Sequence, residues 1–262
     1  MRKSVFVFAL CVFVIAAAGL SAQSVLDASN FATLDGWHIA SGEWETDGTR
    51  LHQRSTTSRM ARIDRQVPQE GVYEIRFNVR YEDGGFRTLE DLENQRFHAG
   101  FGVHVGLRDP LLGRESWGAG DGYLLWLNLD TRPDTYANFP DHAGARAQVY
   151  RSENPVTMDL LSEPWIRRVL GQSRLSIDLI QAMEAAGLNV TVADVAPYLN
   201  QILPIRIRVD TRTGEVTIAD PTAPIRYMVP LNPEVLRQGE YISLRTNSLA
   251  ASFGNFRVVQ VR

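Results

Sequence analysis

Three stretches of the chain alternate strictly between apolar and polar positions. They are VYEIRFNVRY at 72–81, FHAGFGVHVG at 97–106 and GYLLWLNLD at 122–130. A side-chain period of two is typical of a β-strand that buries one face, so the residues on the other face can be read directly from each stretch. If the three strands are neighbours, these residues form one polar sheet face: Arg76, Asn78, Arg80, His98, His104, Trp126, Asn128 and Asp130.

Shorter strands bounded by turn residues are indicated on both sides of these stretches. Asp47-Gly48 is a strong hairpin signal after the segment at 42–45. Residues 203–211 alternate Ile and Val with Arg and Asp, and strands at 241–247 and 251–261 complete the pattern. Roughly ten short strands at this spacing predict an all-β fold, built as an antiparallel two-sheet sandwich or a barrel.

A segment at about 156–203 interrupts the strand pattern with helical spacing. One helix is predicted at 164–170, and another, capped by Ser173, is predicted over 173–186. A third is predicted from Thr191 toward Leu203. The second helix has an apolar face formed by Leu175, Leu179, Ile180 and Met183. We expect these helices to form an insertion that packs against the sandwich.

The first 22 residues have the form of a secretory signal peptide. Arg2 and Lys3 precede an apolar run over 5–18, and small residues at 19–22 provide a cleavage site. The run is too short to span a membrane comfortably. We therefore expect cleavage after residue 22, export, and a single domain over 23–262.

Cysteine content and net charge limit the cellular compartments and the kinds of partner that we expect for the protein. Cys11 and Lys3 are the only residues of their types, so the mature chain has no disulfide, which favours a bacterial periplasm or extracellular space. Cys11 leaves a lipoprotein as the alternative, although Leu10 stands before it where a small residue is required. The net charge is -3, and it becomes -5 without Arg2 and Lys3. This balance argues against nucleic acid as a partner, and no membrane span is expected after cleavage.

Seven segments of the mature chain occur in a characteristic order: GWHIASGEWETDGTRL, VYEIRFNVRY, GFGVHV, GYLLWLNLD, IRIRVDTRTGEVTI, GEYISLRT and FGNFRVVQV. This order resembles the concanavalin A-like lectin/glucanase superfamily, most closely its laminin-G-like and keto-disaccharide hydrolase branch. The resemblance covers nearly the whole mature chain except the insertion. It implies two packed antiparallel sheets in a jelly-roll arrangement, with one concave face that often holds a saccharide.

The chain departs from the catalytic members of this superfamily at several positions. Family 16 glucanases carry a Glu-x-Asp-x-x-Glu strand, and the sequence contains no such spacing. Leu124 follows Gly-Tyr where the keto-disaccharide hydrolase branch has a polar or acidic residue. Gly254 precedes Asn255 where Asp is common, which removes the carboxylate of a metal site.

Trp126 is the sharpest candidate for ligand binding on the predicted face. An indole beside Asn128 and Asp130 has the composition of a sugar platform, with apolar stacking next to hydrogen-bonding groups. The alternative is that Trp126 packs beneath the insertion as ordinary core.

Arg76 and Arg80 flank Asn78 on the same predicted face. Arginine recognises planar anions, so an acidic sugar is one possible ligand. The alternative is that both arginines pair with nearby carboxylates such as Glu74 on a solvated face.

His98 and His104 lie six residues apart, which is roughly 20 Å along a strand. They cannot share a metal ion, so each is either a surface histidine or an isolated acid–base residue. Asp130 with His104 is the only plausible acid–base pair on the predicted face.

No cofactor is indicated, with calcium as a weak possibility. Asp83 and Asp121 stand in glycine-rich loops whose carboxylates could bind this ion. Neither loop has the spacing of a calcium loop, and Asp-Gly is common in plain turns.

Three functions are compatible with these features. The first is an exported, non-catalytic domain that binds a saccharide, and the second is a glycosidic-bond hydrolase. The third is an assembly protein of the cell envelope, which requires an exposed apolar helix face containing Leu175, Leu179 and Met183. Exposure of Trp126 in a cleft would favour the first.

Overall fold

The computed structural model describes residues 24–86, 89–94, 96–110, 118–189, 191, 201–221 and 226–261. The predicted signal peptide lies outside these residues, as does most of the third predicted helix of the insertion. In the described ranges, no helix is both long and apolar enough to cross a membrane.

Among the described residues, two antiparallel sheets of eight strands each form the fold. Sheet A contains, from one edge to the other, β14 (Arg226–Pro230), β13 (Glu215–Ala219), β12 (Leu203–Asp210), β6 (Val72–Gly84), β16 (Leu249–Gln260), β4 (Leu51–Gln53) and β3 (Trp44–Thr46), with β1 (Ser24–Ser29) also paired to β16. Sheet B contains β10 (Met158–Leu160), β9 (Gly144–Ser152), β8 (Gly122–Asp130), β7 (His98–Leu107), β15 (Tyr241–Asn247), β5 (Ala61–Gln66) and β2 (Trp37–Ser41), with β11 (Ser176–Asp178) also paired to β9.

Short helices connect the strands. They are α1 (Leu89–Glu93), α2 (Pro133–Asn138), α3 (Pro164–Leu170), α4 (Leu179–Ala185) and α5 (Pro233–Arg237), with a 3-10 turn at Pro140–His142. The predicted all-β sandwich is therefore confirmed, and the helices of the described ranges are confined to connections.

The hydrophobic core lies between the two sheets. Alternate residues of the long strands point inward, as the period of two requires. Phe253 of β16 is fully buried, and its ring centroid lies 6.0 Å from that of Trp44 and 6.1 Å from that of Phe77. Phe256 packs edge-on against Trp37 of sheet B, at a centroid distance of 5.1 Å. The contact between Phe256 and Trp37 joins the two sheets.

The three strands that define the predicted polar face are present, but they do not share a sheet. β6 lies in sheet A between β12 and β16, whereas β7 and β8 pair with each other in sheet B. The prediction of one continuous face is therefore wrong. The reason is physical: alternation determines which residues of a strand point the same way, but it carries no information about the sheet that the strand joins.

The insertion is a mixture of strand and helix. The helix at 164–170 is confirmed, with Pro164 in its first turn. The start of the next predicted helix is wrong, because residues 176–178 form β11 against β9. Asp178, not Ser173, caps α4, since its carboxylate accepts hydrogen bonds from two backbone N–H groups of the first turn.

Sequence reasoning missed β9, a central strand of sheet B. Its inward positions are Ala145, Ala147 and Val149, alternating with Arg146 and Gln148. Two alanines give a weak apolar signal, which explains why the strand was not predicted.

Phe253→Ala tests the core between the sheets. We expect the free energy of unfolding to fall by about 3–5 kcal/mol, because the change removes a buried ring and leaves a cavity. Chemical denaturation measures the effect. Met228→Ala, at a residue that is 65% exposed on edge strand β14, is the control and should change stability by less than about 0.5 kcal/mol. Equal losses in the two variants would contradict this description of the core.

Candidate functional site

The outer face of sheet B carries a tryptophan laid flat across two glycines. Gly100 and Gly102 of β7 lie opposite Asn128 and Trp126 of β8. A Cβ atom added to Gly100 would lie 2.3 Å from Trp126 Cζ2, and one added to Gly102 would lie 2.7 Å from Trp126 Cε3. The absence of side chains at the two glycines is therefore what allows the indole to approach the backbone of the sheet.

Gly100 and Gly102 lie beneath the ring of Trp126, and other side chains cover it. Its exposed fraction is only 3%, and it packs in a small cluster with Leu124, Tyr150, Met158 and Leu160. Two of these residues belong to β10, the first strand of the insertion. The indole is thus packed by the insertion, as the alternative interpretation required, and it forms part of a cleft wall without being an exposed platform.

A cleft of about 380 Å³ opens beside the indole on this face. It brings together four of the predicted residues, namely His98, Trp126, Asn128 and Asp130. It adds residues that sequence reasoning did not select: Arg59, Met60, Arg132, Thr135, Phe139, His142, Tyr150 and Asn247. His104, Arg76, Asn78 and Arg80 do not line it.

Phe139 is the exposed aromatic residue of the cleft. It follows α2 and is 62% exposed, and Tyr136 of the same helix is 51% exposed. A tyrosine and a phenylalanine within TRPDTYANFPDH, a segment otherwise rich in polar and turn residues, are the available sequence signal. The signal is weak, because isolated aromatic residues in a connection have no periodicity that would assign them to a face.

Asp130 anchors the loop that carries Phe139. Its carboxylate accepts hydrogen bonds from Arg132 Nε at 3.0 Å, from Arg132 Nη2 at 2.7 Å and from Thr135 Oγ1 at 2.9 Å. His98 Nε2 lies 3.9 Å away. Both oxygens are engaged in holding the start of α2, so Asp130 positions the cleft rim.

The predicted pairing of Asp130 with His104 is wrong. The register places Asp130 opposite His98 and His104 opposite Leu124, so the two residues stand six positions apart, roughly 20 Å along the strands. His104 is also fully buried, and its Nε2 lies 3.3 Å from Arg245 Nη1. Sequence separation along β7 alone indicated the distance between the two histidines, but only the register shows which one faces Asp130.

His104 belongs to a layer of buried polar and charged residues on the outer face of sheet B. Arg62 Nε lies 3.0 Å from Asp64 Oδ1 on β5, and Arg245 of β15 is fully buried between β5 and β7. Burial, followed by the like charge of Arg62, lowers the pKa of Arg245 to about 9. Burial raises the pKa of Asp64, whereas burial and the charge of Arg245 lower the pKa of His104 well below its usual value.

The outer face of sheet A holds the other three predicted residues in polar pairs. Arg76 pairs with Glu74 at 2.6 Å, and Arg80 pairs with Glu82 at 3.3 Å, as the structural alternative proposed. Asn78 Oδ1 accepts a hydrogen bond from Arg50 Nη1 at 2.7 Å.

The structure gives a physical reason for Gly254, which stands where the similar family commonly has Asp. A Cβ atom at this position would lie 2.6 Å from Arg50 Nη1 and 2.7 Å from Asn78 Oδ1. The glycine therefore leaves room for Arg50 to cross the sheet to Asn78, and an aspartate here would displace it.

The two candidate calcium ligands have other roles. The Asp83 carboxylate accepts the N–H of Gly84, and Asp121 forms an ion pair with Arg151 at 2.5 Å. The described residues contain no group of three or more His, Cys, Asp or Glu side chains that could hold a metal ion. Calcium at Asp83 or Asp121 stays a prediction.

The apolar helix face required by an assembly role is not formed. Leu175 precedes β11 and is buried, while Leu179 and Met183 of α4 line a cavity between the sheets. An exposed patch containing all three residues is therefore not formed, because Leu175 is buried and Leu179 and Met183 are half-buried.

Comparison with known proteins places the fold among lectin-like sandwiches. No family model and no curated protein matches the sequence. A form of the Emp46p carbohydrate recognition domain is 9% identical, with 90% of this chain and 97% of that chain covered and a TM-score of 0.50. The exoplasmic/lumenal domain of VIP36, in a Ca2+/Man3GlcNAc-bound form, is 12% identical, with coverage of 88% and 85% and a TM-score of 0.49.

A protein of unknown function with a galectin-like fold from Bacillus subtilis is also 12% identical, with coverage of 92% and 100% and a TM-score of 0.47. At these identities the similarity shows the fold alone. The Emp46p domain, with its TM-score of 0.50, is the structure on which this conclusion rests. The lectin-type sandwich implied by the resemblance is confirmed. The keto-disaccharide hydrolase branch stays a prediction.

Gly100→Ala tests the packing of the Trp126 ring against the glycines of β7. We expect a loss of about 1–3 kcal/mol in the free energy of unfolding, because the new methyl group overlaps the ring of Trp126. The same substitution in a Trp126→Leu background should cost much less, since the obstructing ring is gone. A double-mutant cycle by chemical denaturation measures this coupling, and additive losses would show that the two residues do not interact.

His104→Gln tests the buried charged layer. The folded-state pKa of His104 is lowered, so below about pH 6.5 the unfolded chain binds a proton that the folded chain does not. Stability should therefore fall as the pH decreases from about 6.5 to 5, by up to about 1.4 kcal/mol per pH unit for this group. The glutamine of the variant can still accept a hydrogen bond from Arg245 but does not titrate, so the fall should be shallower.

Urea denaturation at several pH values between 5 and 7.5 measures these slopes. His38→Gln is the matched control, because His38 is exposed on β2. It should keep the pH dependence of the parent protein. The explanation fails if the His104 variant has the parent slope.

Proposed function

We propose that the protein is an exported, non-catalytic saccharide-binding domain, and that its site is the cleft on the outer face of sheet B. The observation that carries this proposal is the exposed ring of Phe139 beside a cleft lined by polar side chains. Export rests on the predicted signal peptide. The partner is a free saccharide or a saccharide borne by the bacterial envelope.

An aromatic ring next to hydrogen-bonding groups suits the two surfaces of a sugar. The apolar C–H face of a pyranose packs on a ring, while its hydroxyl groups require donors and acceptors at the edge. Phe139 provides the ring, and Asn128, His142, Asn247 and Arg59 provide polar groups around the same cleft. A cleft of about 380 Å³ is of the size that holds a small ligand.

Hydrogen bonds hold several of these groups in place. Asn128 Nδ2 donates to the carbonyl oxygen of His142 at 2.7 Å, and Trp126 Nε1 donates to Asn128 Oδ1 at 3.4 Å. Tyr150 Oη lies 3.2 Å from His142 Nδ1. Groups fixed in this way lose little freedom when a ligand binds, which favours affinity.

The same geometry gives less support to hydrolysis. A glycosidase of the common type needs two carboxyl groups on either side of the scissile bond. Asp130 is the carboxylate of the cleft lining, and Arg132 and Thr135 occupy its oxygens. The fold shared with a carbohydrate recognition domain is consistent with binding.

Phe139→Ala tests the proposed site. We expect binding to weaken by about tenfold or more, because covering a phenyl ring contributes roughly 1.5–3 kcal/mol. Because Phe139 is largely exposed, the melting temperature should change little. The measurement is a glycan array with the mature protein, followed by calorimetry with the saccharides that bind.

Met228→Ala serves as the matched control, since it removes an equally exposed apolar side chain from sheet A. This variant should bind as the parent protein does. Parent protein that binds no glycan on the array, or a Phe139 variant with full affinity, would overturn the proposed site.

A further inference from the structure

A second cavity lies between the sheets, on the side of sheet B opposite the cleft. Its volume is about 230 Å³. The lining consists almost entirely of apolar side chains from the inner faces of both sheets and from α4, among them Phe101, Leu125, Ile205, Ile218, Leu179 and Met183.

This space is partly open to solvent, but its apolar lining binds water poorly and favours an apolar occupant. Protein interiors are close-packed, and an unfilled apolar cavity forgoes contacts that its lining would otherwise make. Water is stable in a cavity only where several polar groups bind it. An apolar cavity of about 150 Å³ is known to hold benzene, so 230 Å³ accommodates a molecule of about ten carbon atoms.

One polar group in the cavity wall is left without a partner. The Tyr227 hydroxyl is buried, and within the described part of the chain it has no hydrogen-bond partner. Burial raises the pKa of Tyr227 to about 12, so the hydroxyl is neutral and able to donate. A buried donor without an acceptor costs free energy, which a ligand oxygen at this position would recover.

Asp220 indicates the charge of the ligand. This residue lines the same cavity at the end of β13, next to β14, which carries Tyr227. A carboxylate ligand whose head group reached Tyr227 would be repelled by Asp178, whose charge also raises the pKa of Tyr227, and by Asp220 in the cavity wall. An uncharged head group, such as an alcohol, avoids this repulsion.

We propose that the cavity binds an uncharged amphipathic molecule of about ten non-hydrogen atoms, with an apolar body between the sheets and one hydroxyl group paired with Tyr227. Leu179 and Met183 of α4 cover the body of the ligand. This site is separate from the saccharide cleft, because sheet B lies between them, and it does not depend on the function proposed above.

Binding of 1-octanol to the purified mature protein tests the proposal. Calorimetry should show a single site, and thermal denaturation should show a higher melting temperature in its presence. Octanoate should bind at least tenfold more weakly. Tyr227→Phe should weaken octanol binding severalfold but leave toluene binding unchanged, because toluene makes no hydrogen bond.

Ala147→Leu locates the ligand. Ala147 lines the cavity from β9, so a larger side chain should fill the space and abolish binding of both octanol and toluene. Ile218→Phe, at an inward-facing residue of the opposite sheet, provides a second filling variant if the first does not fold. Phe139→Ala should leave octanol binding intact, which separates this site from the saccharide cleft.

The proposal is overturned if the parent protein binds neither octanol nor toluene. It is also overturned if a folded filling variant binds both as well as the parent does. Equal affinities of the parent and Tyr227→Phe proteins for octanol would remove the hydroxyl from the site.

Discussion

The structure depends on mutual burial of two apolar sheet faces. Neither sheet can exist alone in water, because the inner face of each is lined by residues such as Ile75, Phe253, Val103 and Leu244. The sequence has a single cysteine, Cys11, so no disulfide within the chain supplements this burial. All other features of the molecule, including both cavities, are arranged around this contact between the sheets.

Sheet B has a layer of buried polar residues on its outer face, where exposed side chains would be expected. Arg62, Asp64, His104 and Arg245 are all buried there, and Trp126 is covered by residues of the insertion. Burying charge is costly unless it is paired, and the pKa shifts of Asp64, His104 and Arg245 show that cost. Met158 and Leu160 of the insertion therefore form part of a third layer over the outer face of sheet B, beside the cleft.

The two cavities differ in the chemistry they can recognise. The outer cleft combines polar side chains with the exposed ring of Phe139, which suits a hydrated ligand such as a sugar. The inner cavity is apolar apart from groups such as Tyr227 and Asp220, which suits a ligand that leaves water. Their two sets of lining residues share Trp126 alone, so each cavity can be altered at its other residues without removing the lining of the other.

Local pattern alone determines much of this protein. The period of two locates β6, β7, β8, β12 and β15 with the correct inward and outward residues, since side-chain direction along a strand is a local property. The number and spacing of the short strands indicate a sandwich or a barrel, since turn residues that separate strands are also a local signal. Four of the predicted site residues line the cleft, because they lie on strands that pair directly.

Only the tertiary structure decided which strands share a sheet and what covers them. Alternation assigns Arg76, Asn78 and Arg80 to the face of Trp126, but β6 joins the other sheet, because strand pairing depends on distant segments. Trp126 is buried because residues of the strand β10 pack against it, whereas Phe139 lies in the loop at 131–142 and is exposed. Exposure is a property of the assembled layers, and no local pattern contains it.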